Sequence, residues 1–333
     1  MAPLLPRWLI PVGCRIARWP SESTGSSTSY AGKETMRLET PWTLPRKDSA
    51  VIELKGKPVA DALMSALSVR VQALADRGVT PQLAIVEVGD DSANRWYRQA
   101  AIRRLEAAHC EVAVISLSDK ATQPELNETL DRLSADDQIH GILLLRPLPA
   151  HLNEQEAADH TSALKDVDGM SDASLAGVFL GNPGVFAPCT ADAVIRLLNH
   201  YGFEYRGSRA SVLGRSAVVG RPVASLLLVR DATVTQAHSK TPSLKDACSQ
   251  ADLVVSAMGV LGALDQEVLP SGCWLVDVSC NSREDGSMAG DAVWDRLGDI
   301  AAATPVPGGV GAVTTAVLAE HLVSAAERQN AHF

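Results

Sequence analysis

Short apolar runs alternate with helix-length segments twice along this chain, and that alternation leaves few architectures open. From Ser49 onward, Ala50–Leu54, Gln82–Glu87, Glu111–Leu117 and Gly141–Leu145 read as strands. Helical periods over Pro58–Ala75, Ser92–Ala108 and Pro124–Ala135 separate them. Such strand–helix–strand units build parallel sheets with helices on their faces. After Pro188 the pattern restarts: helices over Thr190–Asn199, Val218–Val229 and Ser243–Ala251 interleave with strands at Ala210–Leu213, Ala232–Gln236, Leu253–Ala257 and Trp274–Val278. A glycine loop, Gly308-Gly309-Val310-Gly311, leads to a closing helix over Val313–Arg328. The expected fold class is α/β, in two α/β domains with a boundary near residue 188.

Composition agrees with two buried cores: 46% of the 333 residues are apolar and 21% charged. Only 4% are aromatic, so those cores must be built from Ala, Val and Leu. A net charge of −9 argues against general nucleic-acid or anionic-membrane binding. No apolar run approaches the roughly 20 residues that span a bilayer. Six scattered cysteines form no C-x-x-C pair, so no metal is expected. They read as reduced thiols, which suits a cytoplasmic protein.

Residues 1–49 are different. They hold Pro3, Pro6, Pro11 and Pro20, a Ser/Thr-rich run over Ser21–Tyr30, and seven Lys/Arg against four Asp/Glu. They read as a disordered extension or a start upstream of Met36. The alternative is an organelle-targeting segment, since Arg7, Arg15 and Arg18 precede the first acid, Glu22.

The strongest chemical signal is the strand Ala210–Leu213 running into Gly214-Arg215-Ser216-Ala217-Val218-Val219-Gly220-Arg221-Pro222. A strand turning through glycine into a helix leaves unpaired N–H groups facing outward, and phosphate suits them. Ser216 stands where a second glycine would complete G-x-G-x-x-G, so the spacing alone also fits a structural turn. The next strand ends in Ala237-His238-Ser239-Lys240-Thr241, without the acid that holds a ribose 2′-hydroxyl in NAD-specific folds. A hydroxyl and a cation there, with Arg215 nearby, favour the 2′-phosphate of NADP over NAD; a solvated polar turn is the alternative.

An ordered set of motifs resembles the bifunctional methylenetetrahydrofolate dehydrogenase/cyclohydrolase family over roughly residues 50–330. It comprises Val88-Gly89-Asp90-Asp91 before a helix carrying Tyr97, Pro147-Leu148-Pro149, Lys165-Asp166-Val167-Asp168-Gly169 and Pro188-Cys189-Thr190. The dinucleotide stretch, His238-Ser239-Lys240-Thr241, Gly290-Asp291 and Thr304-Pro305-Val306-Pro307-Gly308-Gly309-Val310-Gly311 complete it. The resemblance implies reversible oxidation of 5,10-methylenetetrahydrofolate to the 5,10-methenyl form with NAD(P), and in many members hydrolysis to 10-formyltetrahydrofolate. It also implies a homodimer and a folate domain over residues 50–188, closed by the helix at 313–330. A Rossmann-like parallel-sheet domain follows over residues 189–312, with a cleft between the two. Tyr97 and Asp168 are then the catalytic residues, Tyr97 stacking on the folate and Asp168 binding the pterin amide edge. Pro307, Gly308, Gly309 and Val310 line the substrate site. Gly214, Arg215, Ser216, Gly220, Arg221, Ser239 and Thr190 bind the cofactor, with Arg215 and Ser239 on its phosphate. Without the family, a helical tyrosine reads as packing, Asp168 as a turn former and Cys189 as core.

The sequence departs from the family on the folate side. Ala101 stands where the family has its catalytic lysine, and Leu145 where it has the glutamine that positions that lysine. Arg146, Leu175 and Ala312 replace an apolar residue, an asparagine and a proline. Hydrolysis needs an activated water and a moved proton, which a methyl and an isobutyl group cannot supply. Arg146 could reach inward, but an arginine stays charged and is a poor base. Hydride transfer mainly needs two aligned ligands. The expected activity is therefore an NADP-dependent dehydrogenase whose cyclohydrolase step is lost. The alternatives are a non-catalytic NADP-binding member or partner subunit, and a dehydrogenase with an altered substrate.

Overall fold

Alternate residues of the strand Gln82–Val88 go to opposite sides, and both sides are apolar. Leu83 and Ile85 join one buried cluster, while Ala84, Val86 and Val88 join another. A period of two with both faces buried requires helices above and below a parallel sheet. The computed structural model, which describes residues 51–89 and 92–331, supplies them. The extension at 1–49 lies outside the described residues, as do Asp90 and Asp91.

The first lobe contains α1 (Gly56–Ala75), β2 (Gln82–Val88), α2 (Ser92–Glu106), β3 (Glu111–Leu117), α3 (Gln123–Ala135) and β4 (Gly141–Leu144), with β1 (Ile52–Glu53) ahead of them. Its three-stranded sheet runs β3-β2-β4, all parallel. The helix α3 begins at a capping box: the Thr122 hydroxyl accepts from the Glu125 N–H, and the Glu125 carboxylate accepts from the Thr122 N–H at 2.7 Å. Its stripe of Leu126, Leu130 and Leu133 is buried, each contributing on the order of 1.5–3 kcal/mol. Two further short helices, α4 (Glu154–Asp159) and α5 (Asp172–Leu180), are N-capped by Asn153 and Ser171.

The second lobe has α6 (Cys189–His200), β5 (Arg209–Leu213), α7 (Gly220–Leu228), β6 (Thr233–Ala237), α8 (Leu244–Cys248), β7 (Leu253–Ser256) and β8 (Trp274–Asp277). A small antiparallel pair, β9 (Asn281–Ser282) and β10 (Met288–Ala289), precedes β11 (Ala302–Ala303) and the last helix α9 (Val310–Gln329). The sheet order is β1-β11-β8-β7-β5-β6, parallel throughout. The strand β6 flanks β5 on one side and β7 on the other, so the order reverses at β5. Ligands of open α/β sheets bind outside the carboxyl ends of the strands at such a point.

Three expectations need correction. The strand expected at Ala50–Leu54 shrinks to Ile52–Glu53 and pairs with β11 in the second sheet, not with the first lobe. Gly311, read as loop, lies inside α9, which starts at Val310. The helix expected to begin at Val218 starts at Gly220, because Ser216 to Val219 form the turn that precedes it. The helix α9 packs on α1, α2 and α6, so it spans both lobes. Thirteen of its twenty residues are buried, which its Ala and Val content allows without bulk.

Candidate active site

The residues after β4 and before α6 converge on one cavity of about 340 Å³. Tyr97 of α2, Leu143 to Arg146 at the end of β4, Asp168, Met170, Pro188, Cys189 and Thr190 line it, joined by Val218 and Thr314. Its wall is thus largely apolar, with one ion pair: an Arg146 Nη lies 3.3 Å from Asp168 Oδ2. The bonds Arg146–Pro147 and Val306–Pro307 are cis.

The two aspartates of Asp166-Val167-Asp168 differ in what they touch. Asp166 is buried and saturated, accepting from the Met170 and Ser171 N–H groups and the Ser171 hydroxyl at 2.7–3.0 Å. It closes the turn. Asp168 faces the cavity with Arg146 beside it. Burial raises its carboxyl to about 6, against the pull of Arg146, while Asp166 pushes the same way as burial. Burial first, and Asp168 next, push the Tyr97 hydroxyl well above its ordinary range. Burial does the same to the Cys189 thiol, which donates to the Val167 carbonyl at 3.3 Å. Neither is poised to move a proton near neutrality.

Tyr97 is held by its helix. Arg98, the next residue, is ion-paired to the buried Glu87 of β2, which also accepts from the Ser116 hydroxyl of β3 at 2.6 Å. One turn after Tyr97, Ala101 is fully buried in the apolar core. Leu145 is 2% exposed and forms part of the cavity wall.

At the carboxyl end of β5, Gly214 takes φ 127°, and a Cβ there would lie 2.4 Å from the Ala257 carbonyl oxygen. Gly220 fits for a related reason, since its Cβ would lie 2.3 Å from the Gly214 carbonyl oxygen. Ser216 Oγ accepts from the Val219 and Gly220 N–H groups at the start of α7. That hydroxyl holds the turn where a second glycine was absent. Register pairs Leu213 with Ala237, so Gly214-Arg215 and His238-Ser239 emerge side by side. His238 orders the second turn: its N–H donates to Thr241 Oγ1, and its Nδ1 accepts from the Lys240 N–H. Arg215, Arg221 and Lys240 are exposed, and none has an ion-pair partner among the described residues. Free cations, a hydroxyl and a helix start at a sheet switch point fit the phosphates of a dinucleotide.

The expected residues therefore fall into three groups. Tyr97 and Asp168 share the cavity. Thr190, placed with the cofactor residues, lines that cavity too, whereas Gly214, Arg215, Ser216, Gly220, Arg221 and Ser239 surround the β5–α7 turn beside it. Pro307, Gly308, Gly309 and Val310 do not line it. Gly308 accepts from the Gly56 N–H with its carbonyl at 2.8 Å, and Gly309 and Val310 are buried, so this loop joins α1 to α9 instead. Sequence reading missed Met170, Val218 and Thr314, which carry no chemical signature.

The fold and this site define a two-lobed α/β protein with a dinucleotide-type turn beside a substrate-sized cavity. The chain belongs to the tetrahydrofolate dehydrogenase/cyclohydrolase family: residues 54–168 match its catalytic domain and residues 188–330 its NAD(P)-binding domain. It is 41% identical over 281 residues to the bifunctional protein FolD of Clostridioides difficile, covering 83% of this chain and 97% of that one. Among solved structures it resembles the bifunctional FolD of Campylobacter jejuni, at TM-score 0.82 and 34% identity, covering 84% of this chain and 99% of that one. It also resembles a Trypanosoma brucei FolD complexed with NADP and an inhibitor, at TM-score 0.78 and 32% identity, covering 84% and 98%.

Proposed function

We propose that this chain oxidises 5,10-methylenetetrahydrofolate with NADP and releases the 5,10-methenyl product without hydrolysing it. The observation that carries this reading is the apolar character of the cavity where a base would act. Ala101 is buried one turn below Tyr97, and Leu145 forms the wall. The remaining titratable groups there are a tyrosine and a thiol pushed high, an arginine, and an aspartate in an ion pair. Loss of a positioned acid/base typically costs about 10²–10⁴-fold in a step that needs it.

Hydride transfer makes smaller demands. The substrate's own nitrogen lone pair can form the C=N⁺ bond as hydride departs the bridging carbon, and NADP, when bound, would supply the hydride acceptor. The protein contributes alignment: Tyr97 stacks the pterin ring, and Asp168 accepts from its N–H edge. Arg215 and Ser239, at adjacent strand ends, would hold the 2′-phosphate of NADP, which favours NADP over NAD. The folate lobe spans residues 56–188 and the cofactor lobe residues 189–312, with the strand Ile52–Glu53 added to the cofactor lobe's sheet, and the chain acts as a homodimer in the cytoplasm.

Anaerobic incubation with 5,10-methylenetetrahydrofolate and NADP, followed by absorbance, tests this. Reduced cofactor and methenyl product should accumulate in equal amounts, and the methenyl form should then persist as it does in buffer. Enzyme-dependent decay of the methenyl form would overturn the loss of hydrolysis. A second reading, a dehydrogenase of another substrate, is favoured by the leucine wall of residues 143–145. Tight NADP binding with no tetrahydrofolate binding would select it.

A further inference from the structure

Arg146 sits where the family usually carries an apolar residue, yet its guanidinium lies on the cavity wall, 3.3 Å from the Asp168 carboxylate. Both side chains are mostly shielded from solvent, with 24% and 18% of their surface exposed. Asp168 is the one carboxylate lining the cavity among the described residues, and its neighbour Asp166 is already saturated by backbone N–H groups and the Ser171 hydroxyl. Of the other groups acting on Asp168, a hydrogen bond from the Cys189 thiol and the charge of His321 also favour its ionised form, each less than Arg146 does, while Asp166 opposes it. Tyr97 comes from α2 and Cys189 from α6, Asp166 opposes ionisation from the same loop, and His321 acts from α9. Arg146 is thus the counter-charge of the site. Resting on the folate reading above, the argument concerns how that one carboxylate is kept ready for substrate.

We propose that Arg146 is a positioning residue that clasps Asp168, holding it ionised and aimed into the cavity, and presents its own N–H groups beside it. Together they form an acceptor–donor edge for a 2-amino-4-oxo heterocycle. The carboxylate accepts from ring N–H and exocyclic NH₂, and the guanidinium donates to the adjacent carbonyl oxygen. A guanidinium is suited to this, because its planar fork serves two acceptors at once and its charge does not titrate away. An opposite charge at this range lowers a carboxyl by about 1–3 pH units, and burial alone would leave Asp168 largely protonated near neutrality.

Two measurements on the full chain test the clasp and the ligand separately. Carboxyl infrared difference titration of the ligand-free protein, with D168N as the blank, should show one group titrating near pH 6. In R146L that group should rise by about one unit or more, and in R146K it should stay near the wild-type position. An unmoved titration in R146L would overturn the clasp, provided near-UV circular dichroism shows both variants folded. Anaerobic equilibrium binding of tetrahydrofolate then reads the ligand half. At pH 7, R146L should bind about ten-fold or more weakly, and the deficit should shrink at pH 9 as Asp168 ionises. Equal binding by R146L and wild type at pH 7 would overturn the acceptor–donor edge. An Arg146-dependent titration in a wild-type protein that binds no tetrahydrofolate would overturn the folate reading while the clasp stands.

Discussion

At the scale of single residues, the site is decided by what each side chain faces. Asp166 and Asp168 are two positions apart with the same chemistry, yet one is consumed by backbone donors and the other is open to the cavity. Because Asp168's carboxyl is raised to about 6 by burial, its ionised fraction is high at pH 8 and falls as pH drops through 6. Tetrahydrofolate binding should therefore weaken between pH 7 and pH 5, and D168N should bind weakly and without that dependence; calorimetry across this range checks both. The proposed loss of the base makes a second prediction. Restoring both family groups in A101K/L145Q should accelerate enzyme-dependent decay of the methenyl form by about 10²-fold, read by its absorbance. Ala101 is wholly buried, so the paired substitution is compared with wild type for stability before its activity is interpreted.

Helices and strands set where those residues stand. The helix α2 carries Tyr97, and the ion pair of Arg98 with Glu87, whose carboxylate also accepts from the Ser116 hydroxyl, ties that helix to β2 and β3. Removing one partner of a buried pair leaves an uncompensated charge. E87A should lower unfolding free energy by about 3 kcal/mol, measured by urea denaturation, and should raise the KM for folate more than the KM for NADP. The β5–α7 turn depends on close backbone approach. A methyl group at Gly220 would meet the Gly214 carbonyl at 2.3 Å, so G220A should weaken NADP binding ten-fold or more, about 1.4 kcal/mol, in a fluorescence titration. Much at this scale was legible in the sequence. The capping box at Thr122, the alternation along β2 and the glycine-bounded turn are local signals with local causes. The short helices α4 and α5, of six and nine residues, were not read from the sequence.

Over the whole molecule, α9 is the element that joins the parts. His321 on this helix directs Nδ1 at the Val167 carbonyl and Nε2 at Asp192 of α6. Arg196 bridges Asp192 to Glu320, and Arg70 of α1 reaches Glu320 and Glu327. Although burial opposes it, hydrogen bonds and charge from His321 and Arg196 hold the Asp192 carboxyl at about 2. A carboxyl lowered from its ordinary 3.8 contributes stability that is complete above pH 4 and lost as pH falls through 2, here about 2 kcal/mol. D192N should therefore be less stable than wild type by about that amount at pH 7, and the two should converge near pH 2, by denaturant titration. Asp168 and Asp277, both raised to about 6, act in the opposite sense, opposing the fold as pH rises through 6.

The sequence by itself determined the alternation of strands and helices, the two α/β lobes, and the glycine-bounded turn with its cationic companions. Each follows from residue type and short spacing. Only the tertiary structure decided that Ile52–Glu53 joins a sheet whose nearest strand is Ala302–Ala303, that Thr190 and Thr314 meet Tyr97 in one cavity, and that Arg146 lies on Asp168. A two-residue strand has almost no pattern of its own, and its partner lies some 250 residues away. Which distant side chains meet depends on how covered sheets and a shared helix pack, and packing is a property of the assembled core.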